Sequence, residues 1–139
     1  MNDDLRVSDI QAMLDKSPFI RFAGVECLSV DNVNLQVVMK QVMRPEMERT
    51  PGSGQWHGGP IAALIDTAGD FAVVLSVKSG VPTINFRTDY LKPAFTPVLI
   101  ATATVRRVGK TIGVVDVDVT NDTGQLLALG RGTYSTKAG

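Results

Sequence analysis

The chain has 139 residues, 44% of them hydrophobic and 20% charged, which suits a single domain with one core and excludes wholesale disorder and a coiled coil. Fourteen Lys and Arg balance fourteen Asp and Glu, so no overall field favours nucleic acid or an acidic membrane surface, and an anionic ligand must be held locally. The single cysteine, Cys27, excludes an internal disulfide, the start MNDDLRVSDIQAM is acidic where a signal peptide is basic and then apolar, and the uninterrupted apolar runs fall short of the ~18 residues of a membrane span, so a cytoplasmic location is expected.

Ser8-Asp9-Ile10-Gln11 has capping-box spacing and leads into Met13 and Leu14, which predicts a short helix over about 8–16, ended by Ser17-Pro18. Phe19 to Val30 reads as a lead-in followed by a strand, and Asp31-Asn32 as a turn. Leu35, Val37 and Met39 then alternate with polar neighbours, which predicts a second strand over 34–42, hairpinned to the first. Met43 to Trp56 holds Pro45, Pro51, Gly52 and Gly54 and has no period; it is a long loop of the kind that is usually functional or mobile.

After Gly58-Gly59, Pro60 suits a first helical position, and the helix that follows is apolar almost all round as far as Lys78. Such a helix, about 28 Å long, has to be enclosed. Beyond Ser79-Gly80 the predicted strands are 82–91, 98–108, 111–120 and 126–136, the last three joined at hairpin distance by Gly109-Lys110 and Asn121-Asp122-Thr123-Gly124. Val115, Val117 and Val119 alternate with Asp116, Asp118 and Thr120, so one face of that strand is buried and the other solvated. The fold class is therefore α+β, a single domain over 1–139 with its core at about 19–136, in which an antiparallel sheet of about six strands curls around one long helix.

The chemistry concentrates at Gln55-Trp56-His57-Gly58-Gly59-Pro60, where the only histidine and two glycines meet a helix N-terminus. Free N–H groups there carry positive partial charge, and glycine lets a substrate carbonyl approach them, so an oxyanion could be stabilised. Asp66, nine residues on among Leu64, Ile65 and Ala68, is a carboxylate in apolar surroundings, which raises its basicity unless a cation or donor offsets the burial. Other readings stand beside these: His57 as a brace of the helix entry, Asp66 as a buried charge paired with Arg87, and Asp70 either as the working carboxylate or as a group that solvates the helix. One His, one Cys and scattered acids offer no metal-ligand set, and no phosphate loop is present. Cys27 reads as core packing.

The segments WHGGPIAALIDTAG, NFRTDYLKPA and VRRVGKTIGVVDVDVTNDTGQLLALGRGTY resemble the hot-dog fold thioesterases of the phenylacetate-pathway (PaaI-like) type, over roughly Phe19 to Tyr134. The resemblance implies acyl-CoA hydrolysis to free acid and CoA, with no metal or redox cofactor and coenzyme A itself part of the substrate; an acyl carrier protein thioester is the variant. It implies that the Gly58 N–H polarises the thioester carbonyl, that His57 positions the substrate, that Asp66 is general base or nucleophile, and that Thr83 assists the attacking water. Relatives often carry Asn six residues before the histidine, where this chain has Pro51, which hands that role to Thr50, Ser53 or Gln55 or removes it. A catalytically silent acyl-CoA binding protein on the same fold is the rival reading, and a hot-dog hydratase ranks below both.

Gly59 and Trp56 at the helix entry are expected to contact substrate, and Arg106, Arg107 and Lys110, with Lys92 nearby, to hold nucleotide phosphates, against the plainer reading of a solvated strand end. Met43, Met47, Trp56, Phe71 and Phe86 are candidates for an acyl pocket, against ordinary packing. An open sheet edge beside an open site predicts an obligate homodimer, doubled to a tetramer. The resemblance adds that each site lies between two subunits, with the HGG turn and the acid on different chains.

Overall fold

The computed structural model describes residues 3–137. Its helices are α1 (Val7–Lys16), α2 (Pro18–Ala23) and α3 (Gly58–Val77), and its strands are β1 (Glu26–Asp31), β2 (Gln36–Val42), β3 (Thr83–Tyr90), β4 (Val98–Val108), β5 (Ile112–Thr120) and β6 (Leu126–Ser135). A single 3-10 turn, Pro45–Met47, interrupts the loop before α3. The six strands form one antiparallel sheet in the order β1-β2-β4-β5-β6-β3. This is the hot-dog arrangement, with α3 as the filling.

The inner face of the sheet follows the period of two. Val37 and Met39 on β2, Leu99, Ala101 and Ala103 on β4, and Val115, Val117 and Val119 on β5 are all buried against α3. The alanines of β4 let the helix approach closely. From α3 come Leu64, Ile65, Ala68, Ala72, Val73 and Val74, all essentially without solvent contact, and each fully buried large aliphatic adds about 1.5–3 kcal/mol of transfer free energy. By length and hydropathy α3 could cross a membrane; here it is the core helix of the sheet.

Three expectations need correction. The lead-in before β1 is in fact a helix over Pro18–Ala23: Ser17 Oγ accepts the Ile20 N–H, Pro18 opens the first turn, and Gly24 at φ +74° closes it. The box at the start of α1 is formed by Arg6 and Asp9, not by Ser8 and Gln11; the Asp9 carboxylate accepts the Arg6 N–H at 2.8 Å. Nor is α3 enclosed all round, because Ala62, Ala63, Asp66, Thr67 and Asp70 form a half-buried stripe at helical spacing.

The candidate active site

The loop before α3 is held by its own polar groups. The Glu48 carboxylate accepts the Gly52 and Gly54 N–H groups at 3.3 and 2.7 Å. Trp56 N donates to Ala94 O, and its indole Nε1, in a side chain left 2% exposed, donates to Thr96 O at 2.8 Å. His57 N donates to Met47 O at 2.8 Å. Trp56 is thus a brace beneath the site, its polar atom already committed.

His57 caps α3. Its Nδ1 accepts the Gly59 N–H at 3.2 Å, which leaves Nε2 as the protonated, outward nitrogen. The Gly58 N–H, at the first helical position, donates to no acceptor in the described chain, so it remains available at the positive end of the helix. The Tyr90 hydroxyl donates to Gly58 O at 2.7 Å, and a Cβ at position 58 would lie 3.1 Å from that hydroxyl. Sequence reasoning missed Tyr90, because nothing local links the end of β3 to the start of α3. An open cleft of about 590 Å³ joins His57, Gly58 and Gly59 to Gln55, Tyr90 and Lys92. Of the three side chains weighed against Pro51, Gln55 alone lines this cleft.

Asp66 lies on the half-buried stripe of α3. The Thr83 hydroxyl donates to its Oδ1 at 2.8 Å, and the buried Tyr134 hydroxyl donates to its backbone carbonyl at 3.1 Å. Arg87 is not its partner: that guanidinium, 74% exposed, pairs with Asp89 at 3.1 Å on the outer face of the sheet. The carboxyl that burial disturbs is Asp70, one turn on. Desolvation, and then the negative charge of Asp66, push it up to about 7. Its carboxyl has no hydrogen-bond partner among the described residues. Asp66, Asp70, Thr67 and Phe71 share a cleft of about 550 Å³ with Phe19 and Ile20 of α2.

The structure brings Asp66 and Thr83 together, and His57, Gly58 and Gly59 together, but it keeps the two groups apart. From Gly58 to Asp66 the helix rises about 12 Å, more than one carbonyl can bridge. Arg106, Arg107 and Lys110 reach neither cleft: Arg106 pairs with Asp116 at 3.5 Å, and the other two are exposed at the β4–β5 turn. Lys92 and Arg49 are the cations beside His57. Of the acyl-pocket candidates, Phe71 lines the Asp66 cleft and Trp56 the His57 cleft, whereas Met43 and Phe86 line neither.

The family model of the thioesterase superfamily matches residues 53–128. A Halobacterium salinarum protein that bears an esterase name is 36% identical over 90% of this chain and 88% of its own length. The Escherichia coli acyl-coenzyme A thioesterase PaaI is 32% identical over 87% of this chain and 84% of its own. Among solved structures, one from the thioesterase superfamily superimposes with a TM-score of 0.86 at 31% identity, over 93% of this chain and 96% of the other. The chain belongs to the thioesterase superfamily, and its chemistry is thioester hydrolysis.

Proposed function

From that membership, we propose that the protein hydrolyses acyl-CoA thioesters to free acid and CoA at a site shared between two copies of the chain. The observation that carries this reading is the separation, about 12 Å along one helix, between a free donor at Gly58 and a hydrogen-bonded carboxylate at Asp66. Both are suited to one reaction, and neither can reach the other's substrate atom within a chain. β3 supports the pairing, since it is an edge strand with Ile84 and Tyr90 exposed, and an edge of that kind is open to a second copy.

In this reading the thioester oxygen is held by the Gly58 N–H of one protomer, where the helix terminus favours the developing negative charge. Asp66 of the other takes a proton from water as the water oxygen adds to the carbonyl carbon. Collapse breaks the C–S bond, and the thiolate recovers the proton from Asp66. Thr83 holds Oδ1 and so fixes the direction of the second carboxylate oxygen. Direct attack by Asp66, followed by hydrolysis of the anhydride, uses the same groups. Purified protein given a panel of acyl-CoAs and a thiol reagent tests the reading: release of CoA that Asp66→Asn abolishes supports it, and no release from any member defeats it.

A further inference from the structure

We propose that the acyl chain is bound within one protomer, in an apolar cavity between α2 and α3, and that the volume of this cavity above the buried Gln41 limits it to an uncharged group of about nine non-hydrogen atoms. The inference rests on the acyl-CoA reading above and adds the substrate class. The cavity has a volume of about 220 Å³ and is walled by Phe22, Val25, Met47, Pro60 and Leu64, with Gln41 at its floor. It also shares Phe19, Ile20, Ala63 and Thr67 with the Asp66 cleft. The two spaces adjoin at these four residues, so the apolar room next to a thioester whose carbonyl sits at Asp66 lies past Ala63 and under α2.

The floor is firm. Gln41 is 2% exposed, and its Nε2 donates to Ala23 O at 3.1 Å, which ties β2 to the end of α2. An apolar cavity of about 150 Å³ suffices for benzene, so this one takes about nine non-hydrogen atoms, as a straight chain or as a phenyl ring with a short linker. The Gln41 Nε2 is committed to Ala23 O, and its Oε1, a buried acceptor without a partner among the described residues, cannot compensate an anion, so a charged or dicarboxylic acyl group would lose its hydration without compensation. The roof, by contrast, is a six-residue helix whose Phe19 is 59% exposed. Chain length is thus read at the floor and entry is controlled at the roof.

The test uses non-hydrolysable S-alkyl-CoA thioethers of two to sixteen carbons, titrated calorimetrically into wild-type protein and Ala63→Leu, with ω-carboxyl and phenylalkyl members as further arms. Ala63 is half-buried at the junction of the two spaces, so leucine there fills open volume and need not overpack the core. Affinity should rise about fourfold per methylene, level off near eight or nine carbons, and be lost in the ω-carboxyl series. Ala63→Leu should lower the octyl-to-ethyl affinity ratio at least tenfold. Affinity that is flat with length, that climbs evenly to sixteen carbons, or whose length dependence ignores Ala63→Leu overturns the proposal. Failure to hydrolyse any acyl-CoA while the thioether series behaves as described would sink the catalytic reading and leave the cavity assignment standing.

Discussion

Thr83, the first residue of β3, donates its hydroxyl to the Asp66 carboxylate of α3 at 2.8 Å. The contact is the only side-chain hydrogen bond on that carboxylate among the described residues, and it spans the turn that follows the helix. A hydrogen bond to a charged group is worth about 1.5–3 kcal/mol. Thr83→Val should therefore lower kcat by roughly ten- to a hundredfold, while Thr83→Ser retains most of it. Because Thr83 is exposed, water replaces the lost donor in the folded chain, so melting temperatures should fall by a few degrees at most, and steady-state kinetics beside thermal melts check both halves.

Asp66→Asn keeps size and reach but removes the proton acceptor, and kcat should fall by roughly two to four decades with KM little changed. The same substitution removes the charge that helps raise Asp70. Titration of the Asp70 carboxyl by NMR should then move to lower pH in Asp66→Asn, and an unmoved Asp70 would contradict the coupling.

Asp70 also makes stability depend on pH. Its pKa is raised from 3.8 to about 7 in the folded chain, so the native state binds that proton more tightly than the unfolded one. The stability it contributes is fully present below about 4 and is lost as pH rises through about 7. Asp116, Asp31 and Asp9 are shifted the other way by their donors and oppose this at the acid end. The comparison that isolates Asp70 is Asp70→Asn against wild type. The variant should gain stability over wild type between pH 4 and 7, by an amount on the order of 2–4 kcal/mol at the plateau. Melts across pH 4–8 check this, and parallel curves would exclude it.

A site built across two chains predicts complementation. Gly58→Val places a side chain against Tyr90 and in the path of the carbonyl, and Asp66→Asn removes the base; each homo-oligomer should be inactive. A co-expressed heterodimer of the two has one intact Gly58 opposite one intact Asp66, and about half of the wild-type activity should return. If both groups served a site within one chain, the mixed species would be as inactive as its parents.

His57→Ala should leave the protein folded. The side chain is exposed, and its structural part is one capping bond to Gly59 N, worth about 1 kcal/mol. Turnover should fall more than stability does, and circular dichroism melts compared with kinetics separate the two.

Much of the architecture was legible along the chain because it is set by local pattern. Alternation placed β4 at its observed limits, 98–108, and put Val115, Val117 and Val119 inside. The break from glycine and proline to an apolar run located the start of α3 and, with it, the histidine and glycines at its mouth. α2 escaped notice because six residues are too few to show a helical period, and its evidence lies in the Ser17 cap and the left-handed Gly24.

The sequence by itself determined which residue types meet at the helix entry, that one helix must fill one antiparallel sheet, and that an acid stands a few turns from a free helix terminus. Only the tertiary structure decided what surrounds that acid. β3 leaves α3 and pairs with β6 at the far edge of the sheet, a non-local choice made by which strand face fits the core. The break in that register between Thr83 and Asn85 lets Thr83 turn toward Asp66 while Arg87 stands on the outer face. The tertiary structure also leaves Asp70 half-buried without a hydrogen-bond partner among the described residues, since desolvation depends on what packs around a side chain in space and not on its neighbours along the chain.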